Sequence, residues 1–207
     1  MMTQAIIFDL GGVILDLNFK RMVDQFERLG VQNFAQYFTL QGQVDFFEQL
    51  ELGQIRSETF FAKLRSVTNT SITDDQIREA WNLILTDFDL SRLSLLTELS
   101  VEYPLYLFSN TNAIHAAYFE KRCLEQTGHP LSYYFTKIYY SHELHLRKPT
   151  IESFKKVLEQ AQLEAADTLF IDDNAANIAG AQAAGLRTHH LSPVEQLVDL
   201  DFVRLFY

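Results

Sequence analysis

Residues able to do chemistry stand at three separated points of this sequence, each directly after a short apolar run. Asp9 follows Ala5-Ile6-Ile7-Phe8, Ser109-Asn110 follow Leu105-Tyr106-Leu107-Phe108, and Asp172-Asp173 follow Thr168-Leu169-Phe170-Ile171. Runs of this kind read as buried strands. In open α/β sheets, ligands gather at the carboxyl ends of the strands. One crevice would therefore collect a hydroxyl, an amide and three carboxylates, joined by Lys148 from the loop Arg147-Lys148-Pro149. Asp9 alone could simply cap a turn. Three such strand ends together point to a site.

Three clustered carboxylates repel one another unless a cation lies between them, and Mg²⁺ is the natural hard partner for carboxylate, carbonyl and water oxygens. The Gly11 carbonyl is a further oxygen that no side chain obstructs. A cation would also let the acids share the crevice with a phosphate. Lys148 adds a point positive charge for phosphate oxygens, and Ser109 with the amide of Asn110 adds hydrogen-bond donors. Asp9 then remains as an oxygen nucleophile able to form an aspartyl-phosphate. Positioning and charge stabilisation supply most of the catalysis in phosphoryl transfer, and these residue types provide both.

Placing these residues requires strands that alternate with helices, and from Ser91 onward the sequence has that texture. Helical periodicity through Leu95, Leu96 and Leu99 leads to the strand at 105–108. A helix through Ala117, Phe119 and Leu124 follows, then a strand at Ile138-Tyr139-Tyr140 and a helix through Phe154, Val157, Leu158 and Ala161. After the strand at 168–171, a small-residue helix closes at Gly185 before a strand at 187–191. This alternation predicts a doubly wound parallel sheet covered on both faces.

Between the first strand and residue 90 the signals are helical and aromatic. Asn18 can cap a helix through Phe19, Met22, Val23, Phe26 and Leu29 that Gly30 ends. Ser57 opens a segment with Phe60, Phe61, Leu64 and Val67, and Thr73 with Gln76 forms a capping box for a helix burying Ile77, Trp81, Ile84 and Leu85. No convincing strand is visible there, so 17–90 is read as an all-helical insertion and 1–16 with 91–207 as the α/β core. Asp74-Asp75 fit a helix N-terminus, where the dipole favours acids. Asp16 is read as a hinge closure or a cap for the first inserted helix. Phe19, Tyr37, Phe47 and Trp81 could floor a pocket beneath the insertion, though their spacing fits core equally.

Composition narrows the function classes. A 47% apolar fraction in 207 residues is ample for one core domain with an insertion. The formal net charge of −10, without a basic cluster, argues against nucleic acid or anionic membrane as partners. A single cysteine, Cys123, excludes an internal disulfide framework and suggests a reducing compartment. With no basic flank before residues 5–10 and no apolar run of membrane-spanning length, the expectation is a cytoplasmic enzyme. It would act on a small molecule as a monomer or small homo-oligomer.

The ordered motifs Phe8-Asp9-Leu10-Gly11-Gly12-Val13, Phe108-Ser109-Asn110-Thr111, Arg147-Lys148-Pro149 and Phe170-Ile171-Asp172-Asp173 resemble those of the haloacid dehalogenase-like (HAD) hydrolase superfamily. The helical insertion is similar to the cap of its subfamily I. Glu51-Leu52-Gly53 and Ser109-Asn110-Thr111-Asn112 resemble the bacterial alpha-glucose-1-phosphate phosphatase group. The resemblance implies a Rossmann-like core and a phosphatase acting on a small phosphorylated metabolite, such as a sugar phosphate. It further implies Asp9 as nucleophile, Lys148 as its catalytic partner, and Ser109, Asn110 and Lys148 as phosphate holders. Mg²⁺ would lie on Asp9, the Gly11 carbonyl and Asp173, with Asp172 behind them or as an additional ligand.

Two positions depart from the superfamily pattern. Gly11 stands where most of its phosphatases carry a second Asp that serves as general acid and base; the glucose-1-phosphate phosphatase group shares this glycine. His145 replaces a usual loop glycine and is read as a surface histidine, with a position near the phosphate as the alternative. His115 and Tyr118 could line the entrance but as helix residues fit packing better, and His189-His190 lack a third metal ligand nearby. Two other functions fit a chain with Gly11. One is a 2-haloacid dehalogenase, which needs no metal, and the other is a non-catalytic HAD-fold binding protein.

Overall fold

The computed structural model describes residues 4–39 and 45–206. The strands are β1 (Ala5–Phe8), β2 (Leu15–Leu17), β3 (Leu85–Phe88), β4 (Leu105–Ser109), β5 (Lys137–Tyr140), β6 (Thr168–Asp172) and β7 (Arg187–His190). Helices α1 (Phe19–Arg28), α2 (Phe34–Thr39), α3 (Phe46–Glu51), α4 (Ser57–Thr68) and α5 (Asp74–Asn82) lie between β2 and β3. The remaining helices are α6 (Leu90–Leu99), α7 (Ala113–Thr127), α8 (Ser141–Leu144), α9 (Ile151–Ala161), α10 (Ala175–Ala183) and α11 (Phe202–Leu205).

Five strands form one parallel sheet in the order β5-β4-β1-β6-β7, with β1 at its centre. In register, Ile7 faces Tyr106 on one side and Phe170 on the other. Strand alternation divides β1 between two apolar layers. Ile6 and Phe8 enter the larger core with α6 and α7, while Ala5 and Ile7 pack with Phe154, Val157 and Ile178 of α9 and α10. The sheet is therefore doubly wound. After β1 the chain builds outward to β5, then crosses to the other side through β6. The order reverses at β1, which is where such sheets bind ligands.

The inserted helices form where caps and apolar stripes require them. Asn18 accepts a hydrogen bond from the Arg21 amide at 3.0 Å, and Thr73 with Gln76 makes both bonds of a capping box. The helices close around aromatic rings: Phe26 stacks on Phe34 at 3.9 Å, and Phe60 touches Phe46, Phe47, Phe61 and Trp81. These rings join the same buried cluster as the sheet face.

The insertion is not joined to the sheet by helices and loops alone. The helix expected to run through Leu85 stops at Asn82, and Leu85–Phe88 pairs antiparallel with Leu15–Leu17. This two-stranded ribbon links the chain's exit from the parallel sheet to its return. Its partners lie about 70 residues apart, so local periodicity carries no sign of the pairing. Asp16 does not cap α1, which Asn18 does; its carboxylate accepts from Arg92 of α6 at 2.7 Å. Phe60→Ala would leave a cavity in the aromatic cluster, and its urea unfolding is expected to show a loss of about 3–5 kcal/mol.

Candidate active site

Three adjacent strands bring the predicted residues to one end of the sheet. Asp9 directly follows β1, and its amide donates to the Ile171 carbonyl at 2.9 Å, which extends the pairing with β6 by one residue. Ser109 ends β4 and is buried, as is Asp172 at the end of β6. Lys148 arrives from the loop before α9 and is 1% exposed. Its ammonium lies 2.8 Å from Asp9 Oδ1 and 2.7 Å from Asp172 Oδ2. The Phe108 and Phe170 rings lie 5.4 and 5.2 Å from it, on the apolar side.

The charges in this cluster are strongly interdependent. Burial opposes a charged Lys148, but Asp9 and Asp172 outweigh it and hold the amine above its ordinary value. Burial pushes the Asp9 carboxyl up to about 7; Lys148 opposes that shift and Asp172 adds to it. Burial, followed by Asp172, also raises Asp173. Three carboxylates thus face one ammonium, and the cluster carries surplus negative charge.

That surplus and the donor set fit a hard divalent cation. Oxygens of Asp9, Asp172 and Asp173 all lie within 4.8 Å of one another. They are not equally available, because Asp172 is already engaged. Its Oδ1 accepts from the Asn174 amide at 2.8 Å and from Asn177 Nδ2 at 3.1 Å, while Oδ2 accepts from Lys148 and from Asn177 at 3.0 Å. This leaves Asp9 and Asp173 as the carboxylates best able to meet a metal. Gly12 makes room for the second of these. Its φ is +76°, and a Cβ there would fall 2.1 Å from Asp173 Oδ2.

Asn110 lies in the wall of the cavity at this site, with its side chain turned to the lysine. Its Nδ2 donates to the Lys148 carbonyl and its Oδ1 accepts from the Lys148 amide, both at 2.9 Å. The side chain clasps the lysine's backbone, because a loop residue carrying a buried charge needs its peptide groups satisfied. The histidines also resolve. His145 is exposed, and its ring nitrogen Nδ1 meets the Leu52 carbonyl at 2.8 Å. His190 Nε2 donates to the Asp173 backbone carbonyl at 2.9 Å, and His189 stands 3.6 Å from Glu195, so the pair forms no metal site.

Asp9, Gly11, Ser109, Asn110, Lys148 and Asp173 line a cavity of about 310 Å³, within the range of small-ligand pockets. The inserted helices supply part of its wall through Glu51 and Trp81. Of the four aromatics considered from the sequence, Trp81 alone reaches it, and Phe47 stacks behind Trp81 at 5.5 Å. His115 lines the cavity as well and stacks on Trp81 at 5.0 Å. Asn112 Nδ2 donates to its Nδ1, so Nε2 carries the proton and donates to the Trp81 carbonyl. Tyr118 is not part of the lining. Sequence reasoning missed Asn177, which no local motif marks. It also missed the cavity position of Glu51, whose only sequence signal was the Glu51-Leu52-Gly53 motif.

The family model for haloacid dehalogenase-like hydrolases matches residues 3–185. The chain belongs to this family. Among its HAD relatives, the D-ribitol-5-phosphate phosphatase of Bacteroides thetaiotaomicron is 29% identical over 90% of this chain and 91% of its own length. The sesquiterpene phosphatase astK of Aspergillus oryzae is 27% identical over 91% and 90%. A solved HAD family enzyme, BT-2542 of B. thetaiotaomicron, superposes with a TM-score of 0.89 at 33% identity over 98% of both chains. Its crystal is of an aspartate-to-alanine mutant in complex with magnesium and inorganic phosphate.

His115 makes stability depend on pH. Burial lowers its pKa to about 4, against a smaller opposing effect of the Trp81 carbonyl. Between about pH 6.5 and pH 4 the unfolded chain binds a proton that the folded HAD chain refuses, so stability falls by about 3 kcal/mol as pH drops through that window. The difference between urea midpoints at pH 7 and pH 4.5 is expected to be smaller in His115→Gln.

Proposed function

We propose that this protein is a Mg²⁺-dependent phosphatase that hydrolyses a small phosphorylated metabolite, a sugar phosphate or its polyol equivalent, through an aspartyl-phosphate on Asp9. The observation that carries this reading is the Lys148 ammonium, 2.8 Å from Asp9 Oδ1 at the wall of the cavity. It orients the carboxylate as a nucleophile and holds a positive charge where phosphoryl oxygens would lie. Asp9, Asp173 and the Gly11 carbonyl would hold the metal. When bound, Mg²⁺ supplies charge neutralisation that lets a phosphate approach the acids.

Asp9 attacks phosphorus, the ester oxygen departs as the alcohol, and water then cleaves the acyl-phosphate to restore the carboxylate. Ser109 donates to the phosphoryl group, Asn110 fixes the Lys148 backbone, and Asp172 keeps the amine charged. Residues 17–90 act as a cap that closes the cavity and selects the alcohol. The relative named as a D-ribitol-5-phosphate phosphatase supports a polyhydroxylated alcohol. The Asp9–Asp173 pair, facing a glycine that leaves it room, favours metal-assisted phosphoryl transfer over a metal-free dehalogenase.

A panel of sugar and polyol phosphates, assayed for inorganic phosphate, is expected to show release that needs Mg²⁺ and stops with chelator or in Asp9→Asn. Binding of Mg²⁺ or phosphate without turnover on any ester would overturn the proposal in favour of a binding protein. Gly12→Ala, strained at φ +76° and displacing Asp173, is expected to fold but to bind Mg²⁺ at least about tenfold more weakly by titration calorimetry.

A further inference from the structure

A phosphatase with Gly11 has no side chain where a general acid could sit, and the atoms nearest the neighbouring space are those of the Leu17 side chain. A Cβ at Gly11 would lie 3.0 Å from Leu17 Cδ1. The titratable side chains lining the cavity, among the described residues, are Asp9, Glu51, His115, Lys148 and Asp173. Asp9 is the nucleophile of the proposed function, Asp173 faces the metal position and Lys148 is held by two carboxylates. Both ring nitrogens of His115 are engaged. His145, the other histidine considered as a proton source, is absent from the cavity wall and turned to the Leu52 carbonyl. Glu51 is what remains.

The fold holds Glu51 in place. It is the last residue of α3, and its carbonyl lies 2.7 Å from Ser141 Oγ, a fully buried hydroxyl that also accepts from the Thr111 amide. Gly53 turns the chain at φ +63°, with a Cβ position only 2.1 Å from the His142 carbonyl, so no side chain fits there. Arg147, the neighbour of Lys148, reaches Glu51 Oε2 at 2.9 Å and Glu48 Oε1 at 3.4 Å. The segment 48–53 is thereby pinned to 141–147, the stretch that leads into Lys148.

We propose that Glu51 is the general acid and base of the reaction, acting from the helical insertion in place of a residue at Gly11; this rests on the phosphatase reading above. As the Asp9 oxygen bonds to phosphorus and the ester P–O bond breaks, the departing oxygen takes the proton of the Glu51 carboxylic acid. Glu51 carboxylate then removes a proton from the water that attacks the aspartyl-phosphate. The P–O bond to Asp9 breaks, phosphate leaves and the acid is restored. One guanidinium shared by two carboxylates leaves Glu51 only partly compensated. Burial raises its pKa, Arg147 opposes this and Glu48 adds to it. Lys63 of α4 bonds Gln49 at 2.9 Å instead. Of the charged groups on α8, Glu143 is exposed and His142 presents its carbonyl to Gly53.

The test compares leaving groups. Wild type and Glu51→Gln, both with Mg²⁺, are assayed on the best sugar phosphate and on p-nitrophenyl phosphate, whose alcohol departs without a proton. Glu51→Gln is expected to lose about 10²-fold or more in kcat/KM on the sugar phosphate, with a loss at least about tenfold smaller on p-nitrophenyl phosphate. Glu51→Asp, which keeps an acid, is expected to recover part of the selective loss, and it serves alone if the Gln variant does not fold. Equal losses on both esters would make Glu51 a cap-docking residue and overturn the proposal, as would no loss on either. If wild type releases phosphate from neither ester, the phosphatase reading itself fails; if it turns over and the variant ignores the leaving group, this inference alone falls.

Discussion

The arrangement at the end of the sheet depends on one buried ammonium. Lys148 is almost fully enclosed, and such a charge persists only where carboxylates hold it. Asp9 and Asp172 do so from β1 and β6, which are neighbours in the sheet, while Asn110 at the end of β4 fixes the lysine's backbone from the other side. Three strands are thereby tied to one loop. Removing any partner would leave a charge or peptide group without compensation in a poorly solvated place. The orientation of the Asp9 carboxylate is a by-product of the same bonds.

A second constraint acts between the sheet and the inserted helices. The β2–β3 ribbon carries the chain out and back, the Asp16–Arg92 pair ties the ribbon to α6, and Arg147 grips Glu48 and Glu51. Arg147 and Lys148 are adjacent but face different partners. One binds the insertion and the other Asp9, so the loop between α8 and α9 registers both. The cavity lies between these two attachments, with one wall from the strand ends and another from α3 and α5.

Much of this is legible in the sequence. Asp9, Ser109, Asp172 and Asp173 follow apolar runs, and alternation from residue 91 onward shows a parallel sheet, which is enough to gather them. The capping residues Asn18 and Thr73 mark their helices through local chemistry. The strand at Leu85–Phe88 escaped because a two-stranded ribbon needs a partner far along the chain, and the apolar residues before it continued a helical period. The clasp of the Asn110 side chain on Lys148 also escaped, because position, though not hydrogen-bonding direction, can be read from order along the chain.

The sequence by itself determined the chemical types and their order: an acid, a hydroxyl, a lysine and two acids, each at a strand end or in a loop, with a glycine at position 11. Local periodicity and strand order suffice for that, since they depend on near neighbours. Tertiary structure decided how the acids divide their work. Asp172 is consumed by Lys148 and Asn177, Asp173 occupies the space Gly12 leaves open, and Asn110 serves the lysine backbone. It also brought Glu51 to the cavity from more than 40 residues away along the chain. Hydrogen-bond direction and the sharing of charge arise from three-dimensional packing, and spacing along a chain does not encode them.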